Sequence, residues 1–172
     1  MKNIMKNFFV FLVLVFCIPI KSYGLIEVDI TRGNLDPLPV AVSPLSIDEK
    51  SKKSFENLLN KKNIGEEISS IVENNLRTSG LFNPLSKDAF LQAPDIANLK
   101  PRFEDWSLIK AQALITGKVS YVDNKLRVEF RLWDVLAAKE IMALAFTTVP
   151  NNWRRVGHII TDKVYELSLI HI

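Results

Sequence analysis

Side chains that commonly do chemistry are few in this sequence of 172 residues, and they are scattered. Its two histidines, His158 and His171, and its single cysteine, Cys17, have no second histidine or cysteine at the spacing of a zinc site. The sequence also has neither a Gly-x-Ser-x-Gly turn for a serine nucleophile nor a glycine-rich loop for a phosphate. His158 follows Arg154 and Arg155 closely, which is typical of a solvated helix face. We therefore predict no catalytic site, no metal and no cofactor.

Two pairs of adjacent acids, Glu66-Glu67 and Glu104-Asp105, are the remaining candidates for acid–base chemistry. Such chemistry needs surroundings that tune one carboxyl into an acid and the other into a base. Capping explains the first pair better, and the first turn of a helix explains the second, because acids there complement the helix dipole. Trp106, Trp133 and Trp153 can line a pocket, but packing in a core or on a sheet is the simpler explanation.

The first 24 residues have the pattern of a secretory signal peptide. Lysines precede an apolar run, Phe8–Ile20, and small residues follow it at the third and first positions before Leu25. A membrane-spanning helix needs about 20 apolar residues, which is more than this run offers. We predict export by the general secretory route with cleavage between Gly24 and Leu25. Retention as an anchor is the weaker alternative, and bulky Phe16 argues against lipidation at Cys17.

Cleavage would also change the charge of the protein. The chain has 22 basic and 19 acidic residues, and the leader removes Lys2, Lys6 and Lys21 but no acid. The mature chain then has equal numbers of both, so no electrostatic case for nucleic acid remains. Cys17 leaves as well, so disulfides cannot stabilise the exported domain and core packing must do so. We expect no stable membrane insertion after cleavage.

Residues 25–167 are predicted to form one α+β domain, with a mixed sheet of about five strands and helices packed on one face. Residues 168–172 are interpreted as a tail that is not native to the domain. Leu25–Thr31 alternates apolar and polar residues, which predicts a strand. Leu38–Val42 is continuously apolar, which predicts a strand buried on both faces. The lysine-rich stretch Asp48–Lys62 is typical of an exposed loop with at most a short helical turn.

Three helices are predicted from apolar residues at helical spacing. The strongest follows Asn63, which is a plausible N-cap, and stops at Gly80, where a left-handed residue ends a helix well. The second is expected within Phe103–Gln112. The last begins after Asn151 or Asn152, either of which can cap it.

Three antiparallel strands are predicted between the second and last helices. Ala113–Val122 leads into Asp123-Asn124, two residues that tolerate positive φ and suit a tight hairpin turn. Leu126–Trp133 then alternates apolar with polar residues, so a one-residue slip would bury its charges and the register is well specified. Lys139–Thr148 gives the third strand.

The strand predicted at Leu25–Thr31 would begin at the free mature terminus. Termini fray unless they are held, and such a segment either forms an edge strand of its own sheet or adds to the sheet of a partner. The residues alone leave both possibilities open. As a partner-binding segment it would comprise Leu25, Ile26, Glu27, Val28, Asp29, Ile30 and Thr31.

Several stretches resemble the N-terminal domain of the TolB family, over roughly residues 25–167. The most specific is Leu76-Arg-Thr-Ser-Gly-Leu-Phe-Asn-Pro-Leu85, which is similar to the end of the family's first helix. The other similar positions are Trp106, Ala111, Gly117, Val119, the stretch Phe130-Arg-Leu-Trp-Asp134 and the stretch Gly157-His-Ile-Ile-Thr-Asp-Lys-Val-Tyr165.

This resemblance implies a function that periodicity does not show. TolB proteins are non-enzymatic periplasmic components of the Tol–Pal system, in which an N-terminal α/β domain precedes a β-propeller that holds Pal. Their mature N-terminal segment binds the C-terminal domain of TolA, and Leu25–Thr31 occupies that place here. The resemblance implies a role in outer-membrane integrity and in constriction at cell division, with Pal as a partner only if a propeller follows. The alternative is a related periplasmic or outer-membrane assembly factor for secretion or cell-wall synthesis.

Overall fold

The computed structural model of the protein describes residues 36–170, and it describes side chains for residues 36–167. The predicted leader, the predicted cleavage site between Gly24 and Leu25, and the predicted partner-binding residues Leu25–Thr31 all lie outside the described residues. His171 lies outside them too.

The described chain forms six strands and five helices. The strands are β1 (Leu38–Val42), β2 (Ser46–Ile47), β3 (Phe82–Pro84), β4 (Ala113–Val122), β5 (Lys125–Asp134) and β6 (Lys139–Thr148). The helices are α1 (Glu49–Leu59), α2 (Ile64–Thr78), α3 (Pro94–Leu99), α4 (Phe103–Leu108) and α5 (Trp153–Ile170), with 3₁₀ turns at Lys87–Ala89 and Pro150–Asn152.

The strands form one mixed sheet in the order β3-β1-β4-β5-β6, and β2 also pairs with β4. β1 runs parallel to β3 and β4, whereas β4, β5 and β6 form an antiparallel meander. The α+β class and the mixed sheet predicted from the sequence are therefore confirmed.

The sequence predicted helices on one face only, whereas helices lie against both faces of this sheet. The three longer helices, α1, α2 and α5, cover one face, and the main core lies between them and the sheet. The short helices α3 and α4 lie on the other face, where Trp106 packs with Ala41, Leu114 and Ala97 in a smaller core. Ala41 faces the smaller core, whereas Val40 and Val42 face the main core. β1 is therefore buried on both faces, as predicted.

The strand along one side of β4 is interrupted in its middle. β1 pairs with β4 at Ala113–Ile115, and β2 pairs with it again at Lys118 and Val119. The Ser43 backbone N–H still donates to the Ile115 carbonyl, and the chain then leaves the ladder until Ser46. The interruption allows Leu45 to point into the main core, where it is only 4% exposed.

Leu45 fills space that two glycines leave open. A Cβ atom on Gly117 of β4 would lie 2.3 Å from the Glu129 carbonyl oxygen and 2.7 Å from the Leu45 Cδ2 atom. One on Gly65 of α2 would lie 2.2 Å from the Leu45 carbonyl oxygen. Real Cβ atoms do not approach so closely, so glycine is required at both positions for steric reasons. The sheet and α2 therefore meet at Leu45.

The buried hydroxyl of Ser69 on α2 holds the interruption in place. It accepts a hydrogen bond from the Leu45 backbone N–H at 2.9 Å. It also lies 3.1 Å from the carbonyl oxygen of Ser43 and 3.0 Å from the carbonyl oxygen of Gly65, and it can donate its proton to either of them. One side chain therefore satisfies backbone groups that have left the sheet ladder, which buried polar groups require.

The hairpin between β4 and β5 has the predicted form. Asp123 and Asn124 both have positive φ, 51° and 59°, and Val122 pairs with Lys125 across the turn. These angles match the two-residue type I′ turn, whose twist suits antiparallel strands. The even-numbered residues of β5 from Leu126 face the main core, as the alternation predicts.

The prediction of an exposed loop at Asp48–Lys62 is wrong, because Glu49–Leu59 is an α-helix. Asp48 caps it by accepting a hydrogen bond from the Ser51 backbone N–H at 2.9 Å. Phe55 is fully buried and packs edge-on against Tyr121, with ring centroids 5.5 Å apart. The helix thus buries only a narrow face around one aromatic residue. Because lysines occupy many of its other positions, the sequence shows no apolar residues at regular helical spacing.

The prediction of a helix within Phe103–Gln112 is confirmed, and α4 ends inside that range at Leu108. Lys110 adopts a positive φ of 63°, and the Ala111 backbone N–H donates to the carbonyl of Trp106. The backbone N–H of Gln112 then donates to Pro39 and starts the β-structure. Pairing of the following residues with β1 therefore ends the helix at Leu108, although apolar residues at helical spacing continue beyond it.

The first long helix begins and ends where predicted, but its cap differs. Asn63 precedes α2, yet its side chain makes no capping hydrogen bond, so that part of the prediction is wrong. Gly80 has a φ of 74°, which confirms the left-handed stop.

β3 and α3 were not predicted. The last helix begins at Trp153, directly after the 3₁₀ turn that contains both predicted capping asparagines.

We expect Ser69→Ala to lower the free energy of unfolding by about 1–3 kcal/mol, because it leaves the buried N–H of Leu45 without its acceptor. Ser70→Ala is the matched control on the same helix, since the Ser70 hydroxyl is partly exposed, donates to the Glu66 carbonyl of its own helix and accepts only from the Lys87 ammonium at 3.3 Å. We expect the control to change stability by less than about 0.5 kcal/mol. Urea unfolding of both variants measures the difference, and equal losses would contradict the role given to Ser69.

The stability of the domain should also depend on pH through Asp48. The Ser51 backbone N–H is the main cause that holds the pKa of Asp48 below its ordinary value of 3.8, and burial opposes it in part. A lowered folded pKa gives stability that is present above pH 3.8 and lost as pH falls through the folded value. Asp48→Asn keeps a capping oxygen but not the charge.

We therefore expect Asp48→Asn to be less stable than the parent at pH 7, by up to about 1 kcal/mol. The deficit should shrink as pH is lowered below 3.8. Denaturant unfolding at several pH values measures it. A difference in the free energy of unfolding that stays constant as the pH falls below 3.8 would refute a contribution from the charge of Asp48.

Candidate functional site

The predicted partner-binding segment Leu25–Thr31 lies outside the described residues, and the described chain begins at exposed Asp36. It enters β1 at Leu38, whose backbone N–H donates to the carbonyl of Leu81 at 2.9 Å. β3 and β4 begin at this same end of the sheet, because both run parallel to β1. α5 also reaches this end, where Tyr165 packs against Phe82 with ring centroids 5.6 Å apart.

The two predicted acid pairs lie in the first turns of α2 and α4, as expected for their helix positions. Glu67 accepts a hydrogen bond from the Lys61 ammonium at 2.8 Å. Asp105 forms an ion pair with Arg102 at 2.6 Å, without the angles of a hydrogen bond. Both acids are thus engaged with neighbouring cations rather than with a second carboxyl.

His158 lies on an exposed face of α5, as predicted, and it also contacts α2. The Asn75 side-chain nitrogen lies 2.9 Å from His158 Nδ1 and 3.2 Å from the Thr161 hydroxyl. Thr161 donates to the carbonyl of Gly157, so its oxygen is free to accept from Asn75. These polar contacts, together with a hydrogen bond from the Tyr165 hydroxyl to the Asn75 carbonyl, join the two long helices.

A shallow groove of about 360 Å³ lies between the start of α2 and the start of α5. The Arg154 guanidinium lies 4.3 Å from the centroid of the Trp153 ring, and the Lys61 ammonium lies 5.5 Å from it. Lys61 is paired with Glu67 at the same place. The groove therefore has an apolar floor and a rim of charges that largely compensate one another. Its lining residues are Asn63, Glu66, Glu67, Ser70, Ile71, Trp153 and Arg154.

Two further findings concern the described chain only. Between residues 36 and 167, no group of three or more His, Cys, Asp or Glu side chains is placed to hold a metal ion. None of the helices α1 to α5 is both long enough and apolar enough to cross a membrane.

The three tryptophans pack against the sheet and its helices, as predicted. Trp106 and Trp153 are almost fully buried, and Trp133 donates from Nε1 to the Thr116 hydroxyl at 2.9 Å. Trp106 donates from Nε1 to Gln92 at 3.1 Å.

Gln92 is a structural residue that the sequence did not reveal. Its side-chain oxygen accepts from the Trp106 indole and from the Arg102 backbone N–H, and its nitrogen donates to the Lys100 carbonyl. It is only 5% exposed and connects the loop before α3 with α4. No local pattern singles out this glutamine, because its three partners lie 8–14 residues away.

The positions that carry the family resemblance are mostly packing positions. Leu76 is fully buried at the end of α2, and Gly117 has no room for a Cβ atom. Gly157 allows α5 to approach α2, because a Cβ there would lie 2.8 Å from the Ile71 Cγ2 atom. These residues preserve the arrangement of helices on the sheet, and they identify a fold rather than a reactive centre.

Comparison with known proteins gives consistent matches. Residues 26–141 match the TolB amino-terminal domain. The Tol-Pal system protein TolB of Pelagibacter ubique (strain HTCC1062) is 77% identical over 154 residues, which are 90% of this chain and 34% of that protein. The chain therefore spans about a third of the length of this curated relative.

One solved structure supports the same fold. TolB from Acinetobacter baumannii superposes with a TM-score of 0.59 and 20% identity, over 76% of this chain and 28% of that chain. At this identity the likeness shows the fold alone. The C-terminal domain of LpoB from Salmonella enterica has a TM-score of 0.45 and 12% identity, over 66% of this chain and 82% of that chain. A score that low supports no argument about function.

The family match covers most of the elements described above, from the predicted segment at Ile26 to the first residues of β6. It favours the Tol–Pal resemblance over the alternative of another envelope assembly factor. With a family match over most of its length and a relative at 77% identity, the chain belongs to the TolB family, through that family's amino-terminal domain.

Proposed function

We propose that this chain is an exported, non-enzymatic interaction domain of the Tol–Pal envelope system, whose segment Leu25–Thr31 binds the C-terminal domain of TolA in the periplasm. Through this contact it supports outer-membrane integrity and constriction at cell division. The observation that carries the proposal is the match of residues 26–141 to the TolB amino-terminal domain. The 77% identical relative, which is named a Tol-Pal system protein, supports it.

The extent of the family match supports a role for the segment itself. The match begins at Ile26, the second residue after the predicted cleavage site, so Ile26–Thr31 lies within the matched domain. Its alternation of apolar and polar residues suits a strand that adds to a partner's sheet. In that recognition mode the backbone provides hydrogen bonds and alternate side chains provide specificity.

The state of the described acids supports a binding role rather than an enzymatic one. Glu67 is paired with Lys61 and Glu73 with Arg77, each within ordinary ion-pair distance at the surface. Partly exposed pairs of this kind stabilise local structure weakly and need no catalytic explanation. The proposal therefore assigns the action of this domain to a surface and a segment.

The sequence supports the proposed location. The leader pattern directs the chain to the secretory route, and removal of residues 1–24 takes away three lysines and the only cysteine. What remains has equal numbers of basic and acidic residues. We propose Pal as a further partner only for a full-length protein in which a propeller follows this domain, because this chain spans 34% of its relative.

A pull-down on immobilised TolA C-terminal domain tests the proposed function. We expect the chain that begins at Leu25 to bind at least about tenfold more tightly than one that begins at Asn34, since the shorter chain lacks the strand that pairs. Val28→Asp should weaken binding similarly, because it places a charge on the apolar face of the segment.

Val122→Asp is the matched control for that substitution. Val122 is 49% exposed at the end of β4, beside the hairpin turn, so a charge there should leave both the fold and the binding unchanged. Thermal unfolding of all four proteins checks that the domain itself is intact. Equal binding of the chains that begin at Leu25 and Asn34 would refute the assignment of the segment.

A further inference from the structure

β6 is a long edge strand, and no other strand among residues 36–170 pairs with its outer side. Natural edges are blunted by charges, prolines, bulges or short length. In β6 the charges Lys139 and Glu140 lie at its start, and the irregularity of its pairing with β5 lies near the same end. The remaining stretch, Ile141–Thr148, is uncharged and free of proline. This stretch is therefore open to pairing with a further strand.

The apolar layer of the main core continues onto β6 and is not closed there. Phe130 of β5 is only 1% exposed, whereas its β6 partner Leu144 is half-buried. The rings of Phe130 and Phe146 are stacked, with centroids 6.0 Å apart. Met142 lies on the same face of β6 and is also half-buried against the core. An apolar strand placed beside β6 would cover these three β6 side chains.

The pairing pattern determines which backbone groups of β6 point outward. The residues that flank a two-residue turn bond each other, so Val122 and Lys125 form a hydrogen-bonded pair. Such pairs alternate along an antiparallel ladder, so the odd-numbered residues of β5 bond β4 and the even-numbered ones bond β6. Along the regular part of the pairing, even-numbered residues of β5 face even-numbered residues of β6. The backbone N–H and C=O groups of Ala143, Ala145 and Thr147 therefore point away from β5.

We propose that β6 is a homodimerisation edge, on which a second copy of this chain adds its own β6 as an antiparallel strand. The two-fold axis passes beside Leu144, so that the Leu144 residues of the two copies face each other. Ala143 of each copy then lies opposite Ala145 of the other. Because the backbone groups of both alanines point outward, each of these pairs exchanges an N–H···O bond in both directions.

The side chains on both faces of this pairing are compatible. On the helix side of the sheet, the two Leu144 side chains meet and Met142 lies opposite Phe146 of the second copy. The open apolar row is thereby covered, and apolar cross-strand pairs stabilise a sheet. On the other side the facing alanines are small. Lys139 and Glu140 lie at the ends of the paired stretch, opposite uncharged residues, so no like charges meet there.

Charges on β5 favour the same register. Arg131 lies beside Ala143, and Glu129 lies beside Ala145. With Leu144 at the axis, Arg131 of one copy shares a cross-strand row with Glu129 of the second copy, and only two alanines separate them. The two β5 strands are three strand spacings apart, about 14 Å, and long side chains above alanines can reach across much of that distance. Opposite charges in one row attract each other, although weakly at a partly exposed surface.

Shifting the axis by one residue replaces this attraction with repulsion. With Ala145 at the axis, Glu129 shares a row with its own counterpart, and Arg131 shares one with Arg127 of the second copy. With Ala143 at the axis, the two copies of Arg131 share a row. Like charges opposite each other destabilise strand pairing. The charge pattern therefore selects the proposed axis over both neighbouring ones.

Shifts of two residues also fit less well. One direction places Pro150 opposite Met142, and the other places Glu140 opposite Leu144. A proline or a charge then meets the apolar row. The pairing joins one strand edge to another and buries a small area, so we expect a dimer that dissociates on dilution rather than a permanent one. It involves β6 and not Leu25–Thr31, so it goes beyond the proposed function and needs no TolA.

Sedimentation equilibrium of the chain that begins at Leu25, at concentrations from about 1 to about 300 μM, tests the dimer. Ala145→Pro should weaken association at least about tenfold, because proline removes an outward N–H and leaves the bonds to β5 in place. Glu129→Arg should weaken it about fivefold, because it places like charges in the row of Arg131. Added salt should reduce the second effect, since it screens exposed charges.

Asp88→Arg is the matched control for the change of charge. Asp88 is exposed in the 3₁₀ turn that follows β3, the strand at the opposite edge of the sheet, so association should be unchanged. Thermal unfolding of every variant checks that the domain is folded.

Hydrogen exchange of the unmutated chain tests the same pairing without any substitution. We expect the amides of Ala143, Ala145 and Thr147 to exchange about tenfold more slowly at high concentration than after dilution, because only the dimer pairs them. The amides of Leu144 and Phe146 are bonded to β5 in either state, so their exchange should depend much less on concentration. If Ala145→Pro does not fold, this alternation decides the question.

A chain that stays monomeric at every concentration overturns the proposal. A dimer that is unaffected by both Ala145→Pro and Glu129→Arg overturns it as well, because another surface then joins the two copies. Protection of the odd-numbered amides that does not depend on concentration also overturns it, since the occupant of the edge is then not a second copy. TolA binding is measured separately, so either proposal can fail without the other.

Discussion

The contact of Leu45 with α2 and β4 is the constraint on which the arrangement of this domain depends. Leu45 leaves an interrupted strand and fills the space between Gly65 and Gly117, while Ser69 satisfies the backbone groups that the interruption frees. This fixes how closely α2 lies on the sheet. Gly157 in turn lets α5 lie closely against α2. Because interiors are close-packed, a change at Leu45 shifts α2 and, through α2, also α5.

Many of the distinctive residues of this domain serve packing and buried hydrogen bonds rather than a reactive site. Gly117 and Gly157, which carry the family resemblance, allow neighbouring elements to approach closely. The polar groups of Gln92 and Ser69 form hydrogen bonds with buried backbone groups. In the part of the chain that the structure describes, the sheet ends in two edge strands, β3 and β6. Edge strands bind through hydrogen bonds that need no reactive side chain, so a domain with balanced charge can still be a specific partner.

The accuracy of sequence patterns followed how local each interaction is. The hairpin at Asp123-Asn124 was predicted correctly, because two positive-φ residues and an alternating strand determine it within a dozen residues. The end of α4 within Phe103–Gln112 was left open, because pairing of Gln112 with Pro39 decides it from 73 positions away in the chain. α1 was missed because a single aromatic residue, Phe55, carries its buried face.

The sequence alone determined the mixed α+β class, the main strands, the left-handed stop at Gly80 and the membership of a family, since these depend on periodicity and on motifs that lie within short stretches. Only the tertiary structure decided that Leu45 joins α2 to the sheet, that two short helices cover the second face and that β6 forms an open edge. Each of these depends on which distant segments become neighbours, and steric fit and backbone pairing decide that after the local elements have formed.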